Sequence, residues 1–369
     1  MEASPPKDRQ ELLEWLGLRL IPGVGGVIFA RLAQAFGSPG RAMGAPLDSL
    51  CAVRGVSEAM AQALHERAWS AEPSEELARL EEMGARVVAL GEPGYPPLLA
   101  GVYAPPPLLF VRGDLGPCRA GGVAVVGSRN MSGYGRRVAL ELARDLAVAG
   151  VSVISGLARG VDTVAHMAAL AAGGHSVGVL GSGLDVAYPR ENAGLMEQMA
   201  RKGAVLTEFP LGTQPLSGHF PVRNRIISGL ARAVVVVEAG LKSGSLITAR
   251  HALDQGREVF AVPGPVGTPH SQGCHELIRQ GARLLSSAQD ILAPGALPPL
   301  LEPVLPPDQA TELPAEAASL MELLGPQPVH VDLLARESGL RPQEVTALLV
   351  NLEMAGLVEQ RPGKHYVRC

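Results

Sequence analysis

Between Val123 and Val262 the apolar residues fall into six short unbroken runs: VAVVG from Val123, VSVIS from Val151, SVGVLG from Ser176, AVLTE from Ala204, AVVVVEA from Ala233 and EVFAVPG from Glu258. Unbroken apolar runs, as opposed to alternating ones, belong to strands buried on both faces of a parallel sheet. Three of the stretches between them, YGRRVALELARDLAVAG, DTVAHMAALAAGG and GSLITARHALDQG, carry apolar positions at helical spacing, and the first and last close on a glycine suited to a C-cap. Strand and helix in alternation predict an α/β domain over residues 76–292, built on an extended Rossmann-like, doubly wound and mostly parallel sheet. The proline-rich stretch ahead of it, VVALGEPGYPPLLAGVYAPPPLLFVRGDL, is expected to extend the sheet's edge.

The pattern changes on either side. Residues 1–75 read as all-helical, with IPGVGG ahead of VIFARLAQAF and a second copy of the motif in VRGVSEAMAQAL. This front segment is SAM-like or helix-hairpin-helix-like. Its glycine turns either present helix N–H groups to a DNA phosphate or serve only as tight turns in a structural cap. Residues 293–314 form a semi-rigid linker rich in proline. Residues 315–369 predict three helices (ASLMELLG, VHVDLLARESG, RPQEVTALLVNLEMAG) and a two-stranded hairpin, VEQRPGKHYVR, together a winged helix. Its third helix carries only Arg341 as a basic residue, whereas the wing has Arg361, Lys364, His365 and Arg368. Weak duplex-DNA binding and a protein contact both fit this tail.

The glycine-rich turns carry the chemistry. GSRNMSGYG, SGLARGVD, GSGLDVAYP and AGLKSGS each break from an apolar run, so all four fall at the carboxyl end of the sheet, where ligands of doubly wound domains bind. Backbone N–H groups and helix N-termini gathered there suit phosphate oxygens. Gly127 and Gly133 permit close approach of a phosphate, Arg129 can grip it with a bidentate fork, and Phe220 beside a basic cluster offers a stacking surface for single-stranded DNA.

Composition changes this picture little. The 369 residues are 47% hydrophobic and 18% charged with a net charge of −4, which describes a globular chain with ample core. A local basic groove can sit on such an acidic body. No apolar stretch is long enough for a membrane span and the N-terminus does not resemble a signal peptide. Cys51, Cys118, Cys274 and Cys369 have no metal-type spacing, so a reduced, cytoplasmic protein is expected, without metal or cofactor.

The competing reading is a nucleotide-binding enzyme of the phosphoribohydrolase type. The first turn departs from G-x-G-x-x-G, no Walker GKS/T follows any strand, and the loop AGLKSGSLITAR has no carboxylate until Asp254. Ser271 stands where a catalytic Glu would be needed. Asp162 and His166 share a helix face as an acid–base pair would, but an N-cap role for Asp162 with His166 packed beneath it explains them better. His270, Cys274 and His275 fit no standard zinc spacing.

The strings VVGSRNMSGYG, SGLARGVDTVAH, GVLGSGLDVAYP, HFPVRNRIISGLA, SGSLITARHALDQGREVFAVPG and QGCHELIRQGA resemble the DNA processing protein A (DprA/Smf) family, known from natural transformation. They run from Val123 to Ala282, and the helical front and winged-helix tail match longer members. The resemblance implies a cytoplasmic, non-enzymatic homodimer that binds single-stranded DNA irrespective of sequence and loads the RecA recombinase onto it. The family's DNA-binding positions fall on Gly127, Ser128 and Arg129, on Phe220, Arg223, Asn224 and Arg225, and on Lys242, Ser243 and Gly244. Several relatives carry a lysine three residues before the aromatic, where this chain has Ser217, so one phosphate contact is expected to be lost. The dimer surface is expected around Leu277 to Leu285, with Ile278 and Leu284 as the side chains that test it.

Overall fold

The computed structural model describes residues 7–297 and, beyond them, 319–321, 323–325, 329–340, 345, 348–349, 352, 358–361 and 365–368. The chain divides into two compact units, Met1–Val304 and Leu305–Cys369.

The first unit opens with helices α1 (Arg9–Leu20), α2 (Gly26–Phe36), α3 (Pro39–Met43), α4 (Leu47–Cys51), α5 (Glu58–His65) and α6 (Pro73–Glu82). Side-chain caps start several of them: Asp8 on α1, Ser38 on α3 and Ser57 on α5 each accept from a first-turn amide. Leu18, Ile21, Phe29, Leu32, Leu50 and Leu64 close a small core of their own. Leu16 and Leu20 of α1 turn instead toward the sheet described next.

That sheet has nine strands: β1 (Ala85–Ala89), β2 (Leu108–Gly113), β3 (Gly122–Val126), β4 (Val153–Ser155), β5 (Ser176–Val179), β6 (Ala204–Thr207), β7 (Ala231–Val236), β8 (Glu258–Ala261) and β9 (Arg283–Leu284). Their order is β1-β2-β6-β5-β4-β3-β7-β8-β9. From β6 to β9 every pairing is parallel, while β2 runs antiparallel to both β1 and β6. The proline-rich stretch therefore does extend the sheet's edge, as β1 and β2 with the short α7 (Pro97–Ala100) between them.

Alternate side chains of each strand enter different cores. Val123 and Val125 of β3 pack with α8 (Gly133–Val148) and α9 (Val161–Ala171) through Leu142, Leu146 and Ala165. Ala124 and Val126 point the other way, toward α11 (His219–Gly229), α12 (Ser245–Asp254) and α13 (Gln272–Arg279), through Ile226, Ala249 and Leu277. Phe110, Val205 and α10 (Ala193–Lys202) join α1 and α6 in a third cluster. A sheet sandwiched in this way needs apolar residues at consecutive positions, which is the pattern the unbroken runs carry. The short α14 (Gln289–Leu292) closes the unit.

In the second unit β10 (Val329–His330), β11 (Val358–Arg361) and β12 (His365–Arg368) form an antiparallel sheet in the order β10-β12-β11, with the helix Val331–Ser338 following β10. Leu320, Leu324, Leu334, Val345, Leu349, Leu352, Val358 and Tyr366 build its core. Strand, helix and hairpin make the winged helix expected from the sequence, except that Val329 and His330, read as helical, pair with Tyr366 and His365. The helix begins after them because the His330 ring Nδ1 accepts from the amide of Asp332. Residues 298–314 of the expected linker, and Arg341 and Lys364 of the expected basic set, lie outside the described residues.

Candidate nucleic-acid interface

The sheet winds outward from β3 through β4, β5 and β6, then returns to the other side of β3 with β7. At this reversal the loops leaving β3 and β7 part, and the space between them opens beyond the strands' carboxyl ends. A cleft of about 770 Å³ lies there. Its walls are the loop after β3, the loop from β7 into α12, and the first turns of α11. Nine of the ten residues singled out from the sequence line it: Gly127, Ser128 and Arg129; Phe220, Arg223 and Asn224; Lys242, Ser243 and Gly244. Ser217, at the position of the relatives' lysine, is exposed and lines it as well.

Gly127 has to be glycine where the loop turns off β3. A Cβ on it would sit 2.7 Å from Cγ2 of Val161 and 3.1 Å from the Glu238 carbonyl. The backbone thereby passes flush under α9 and leaves Arg129 exposed at the rim.

The four glycine turns do not contribute equally, because amides of three of them are already taken, in two cases by a carboxylate. Buried Glu238 accepts from the amide and hydroxyl of Ser132 at the head of α8, so that helix terminus already has its negative charge. Asp162 accepts from the amides of Gly156 and Ala158 at 3.1 and 3.4 Å, spending the SGLARGVD turn. In GSGLDVAYP the amides of Gly183 and Val186 donate to the carbonyls of Thr213 and Gly183, while Asp185 accepts from Gly212 of the loop after β6. The expectation that all four turns would offer free N–H groups is thus corrected. No carboxylate takes an amide of AGLKSGS among the described contacts: α12 has no acidic residue in its first turn and its N-cap, Gly244, has no side-chain cap. Positive potential collects at this turn, where Lys242 is exposed, opposite Arg129.

Helix α11 splits the R-N-R string. Positions 223 and 225 are two residues apart and so lie on nearly opposite helix faces. Arg223 points inward, only 4% exposed, with Nη1 donating to the carbonyls of Gly156 and Val179. Burial lowers it to about 10, opposed by the attraction of Asp162, so it stays charged at neutral pH. Its guanidinium carbon lies 5.9 Å from the centroid of the Phe220 ring, and that of Arg129 lies 5.5 Å from it. Phe220 is half-buried between these cations and Gly181, where an added Cβ would come within 3.1 Å of the ring.

Arg225, expected with the others, does not face the cleft. Its Nη2 meets the Glu208 carboxylate at 2.5 Å and its Nη1 donates to the Ala104 carbonyl at 2.8 Å. Burial raises the Glu208 carboxyl above its ordinary range, with Arg225 and Arg19 pulling it back down. Arg19, at the end of α1, donates to the Glu208 carbonyl at 3.0 Å, so the pair also ties the helical front to the sheet.

Asp162 sits one residue inside α9, whose N-cap is Gly160, and caps the preceding turn instead of the helix. His166 packs beneath it without exposure; Nε2 accepts from the Leu157 amide at 3.3 Å, which leaves Nδ1–H to donate to Ser176 Oγ at 2.8 Å. Burial, then Arg223, lowers its pKa to about 3. Such a histidine is a neutral structural link. Cys274 is fully buried and burial pushes its thiol up to about 12, while His275 engages the Gly264 carbonyl.

Two features of the candidate site escaped the sequence reading. Glu238, ending the AVVVVEA run, could have been noticed as an acid placed where β7 meets the head of α8. Tyr188 lines the cleft from the turn GSGLDVAYP, and its signal was an aromatic directly after a glycine turn.

Comparison with known proteins places this geometry. A model of the DNA recombination-mediator protein A family matches residues 86–294, and one of the DprA winged helix domain matches residues 304–364. Protein Smf of Escherichia coli strain K12 is 44% identical over 299 residues, 78% of this chain and 79% of that protein. DNA processing protein DprA of Streptococcus pneumoniae strain R6 is 48% identical over 199 residues, 54% of this chain and 70% of that protein. Among solved structures, the X-ray structure of DprA from Streptococcus pneumoniae superposes with a TM-score of 0.68 at 37% identity, covering 76% of this chain and 96% of that one. DNA processing protein A from Helicobacter pylori, described for its single-stranded DNA binding mode, gives a TM-score of 0.52 at 29% identity over 56% of this chain and 94% of that one.

Proposed function

The chain belongs to the DNA recombination-mediator protein A family, and from that premise we propose that the cleft beyond β3 and β7 holds the backbone of single-stranded DNA without reading its sequence. The observation that carries this reading is that exposed Arg129 and Lys242 line one cleft together with a glycine turn that heads α12 and has no acid in that helix's first turn. Phosphates there displace counterions, so affinity falls steeply with salt. The bound strand is then handed to the RecA recombinase, in the cytoplasm, as a step of natural transformation. A homodimer would bring two clefts together and so two strands. The winged helix adds weak duplex binding or a protein contact.

No chemical step is assigned to the cleft. The carboxylate that lines it, Asp162, is buried and committed to the amides of its own turn, which leaves the phosphoribohydrolase reading without a free acid. The test is fluorescence-anisotropy titration of labelled oligo-dT at several salt concentrations. Arg129→Ala is expected to weaken binding about tenfold, roughly 1.4 kcal/mol, and to flatten the salt dependence. Binding indifferent to Arg129, or none, would return the cleft to the nucleotide-enzyme reading.

A further inference from the structure

Among the cleft residues, Tyr188 has a use that the reading above does not supply. The residue is 45% exposed, and its ring centroid lies 5.5 Å from that of Phe220 with the planes inclined at 36°. Phe220 already has Arg129, Arg223 and Gly181 around it and is half-buried. Of the two touching rings, Tyr188 is therefore the one with open surface, and Phe220 backs it. The other carrier of this turn's chemistry, Asp185, is occupied with the amide of Gly212, so the aromatic ring is what the third glycine turn adds to the cleft.

We propose that an unpaired nucleobase stacks on Tyr188, and that this contact is what makes the cleft prefer single-stranded over duplex DNA. The inference rests on the reading of the cleft as a DNA site. Arg129 and Lys242 recognise phosphates, which both forms of DNA display, so charge alone gives little discrimination. A base in a duplex has both faces covered by its neighbours; a base in a single strand can turn out and lay a face on an aromatic ring at little cost. Every base has such a face, so the contact favours single strands without favouring a sequence.

The experiment compares wild type, Tyr188→Ala and Tyr188→Phe on three labelled ligands of equal length: oligo-dT, a strand of abasic residues, and duplex DNA. Tyr188→Ala is expected to bind oligo-dT roughly tenfold more weakly, with abasic and duplex affinities within about twofold of wild type. The slope of affinity against salt stays unchanged, since no phosphate contact is removed, and Tyr188→Phe retains wild-type binding. Equal weakening on oligo-dT and on the abasic strand would overturn the proposal, because the ring would then be acting on the fold or the backbone. So would an unchanged affinity of Tyr188→Ala for oligo-dT. Wild type that fails to bind oligo-dT at all overturns the reading of the cleft and this inference with it, whereas wild-type binding with an indifferent Tyr188→Ala overturns the inference alone. Matching urea midpoints of the three proteins confirm that the comparison is between folded chains.

Discussion

His166 shows how much a single residue's surroundings decide. It stands four positions from Asp162 on α9, a spacing that suits acid–base chemistry, yet it lies wholly buried with both ring nitrogens committed, one as acceptor from Leu157 and one toward Ser176. Buried, and with Arg223 nearby, the ring stays neutral down to about pH 3 in the fold but takes up a proton at about 6.5 once unfolded. The unfolded state thus binds more protons between those values. The stability linked to His166 is complete above about 6.5 and is lost as pH falls from there toward 3. At pH 5 the loss comes to about 2 kcal/mol. Urea unfolding of wild type and His166→Gln at pH 7.5 and pH 5 checks this: the variant starts less stable but loses about 2 kcal/mol less on acidification. Identical losses would mean that His166 protonates freely in the folded protein. Spacing alone could not separate the two roles, since burial is a property of the packed sheet.

At the scale of elements, α11 makes the same point about basic residues. The string HFPVRNRIISGLA announces a cluster, but not its helical phase. Phase sends Phe220 and Asn224 into the cleft, Arg223 beneath it, and Arg225 to the opposite face against Glu208. Arg225 and Lys242 should therefore fail in different ways. Arg225→Ala leaves Glu208, 6% exposed, without its hydrogen-bonded cation and is expected to cost about 3 kcal/mol in urea unfolding while leaving the salt slope of binding intact. Lys242→Ala, at an exposed position, is expected to leave stability unchanged and reduce the slope by about 0.7, the value for one phosphate on a single strand. If Arg225→Ala alters the slope and leaves stability alone, the placement of Arg225 away from the cleft is wrong. The glycine turns were legible as a set for a related reason: they mark strand ends. Which of them is open to an anion depends on contacts made in the fold: Glu238, from the end of β7, on Ser132, and Asp162 folded back on the amide of Gly156 in its own turn.

For the whole molecule, the α/β architecture was readable because a sheet covered on both faces imposes unbroken apolar runs, and six of its nine strands come from such runs. The last strand was not, since β9 is only Arg283–Leu284, too short to leave a pattern. Both its residues are exposed, Leu284 at 53%, and Ile278 on α13 is half-buried nearby in the chain. A sheet edge left open beside an apolar side chain invites a cover, and the expected homodimer would supply one. An aspartate placed there would lose its hydration on association without gaining a partner, a cost of several kcal/mol. Ile278→Asp is accordingly expected to halve the mass measured by light scattering. Its affinity for an oligonucleotide short enough to fill one cleft should stay within about twofold of wild type, since no cleft residue has changed. A protein still dimeric with Asp at position 278 rules this patch out and moves the subunit contact elsewhere. A monomer that has also lost its short-strand binding would mean that each cleft needs the partner to hold its shape.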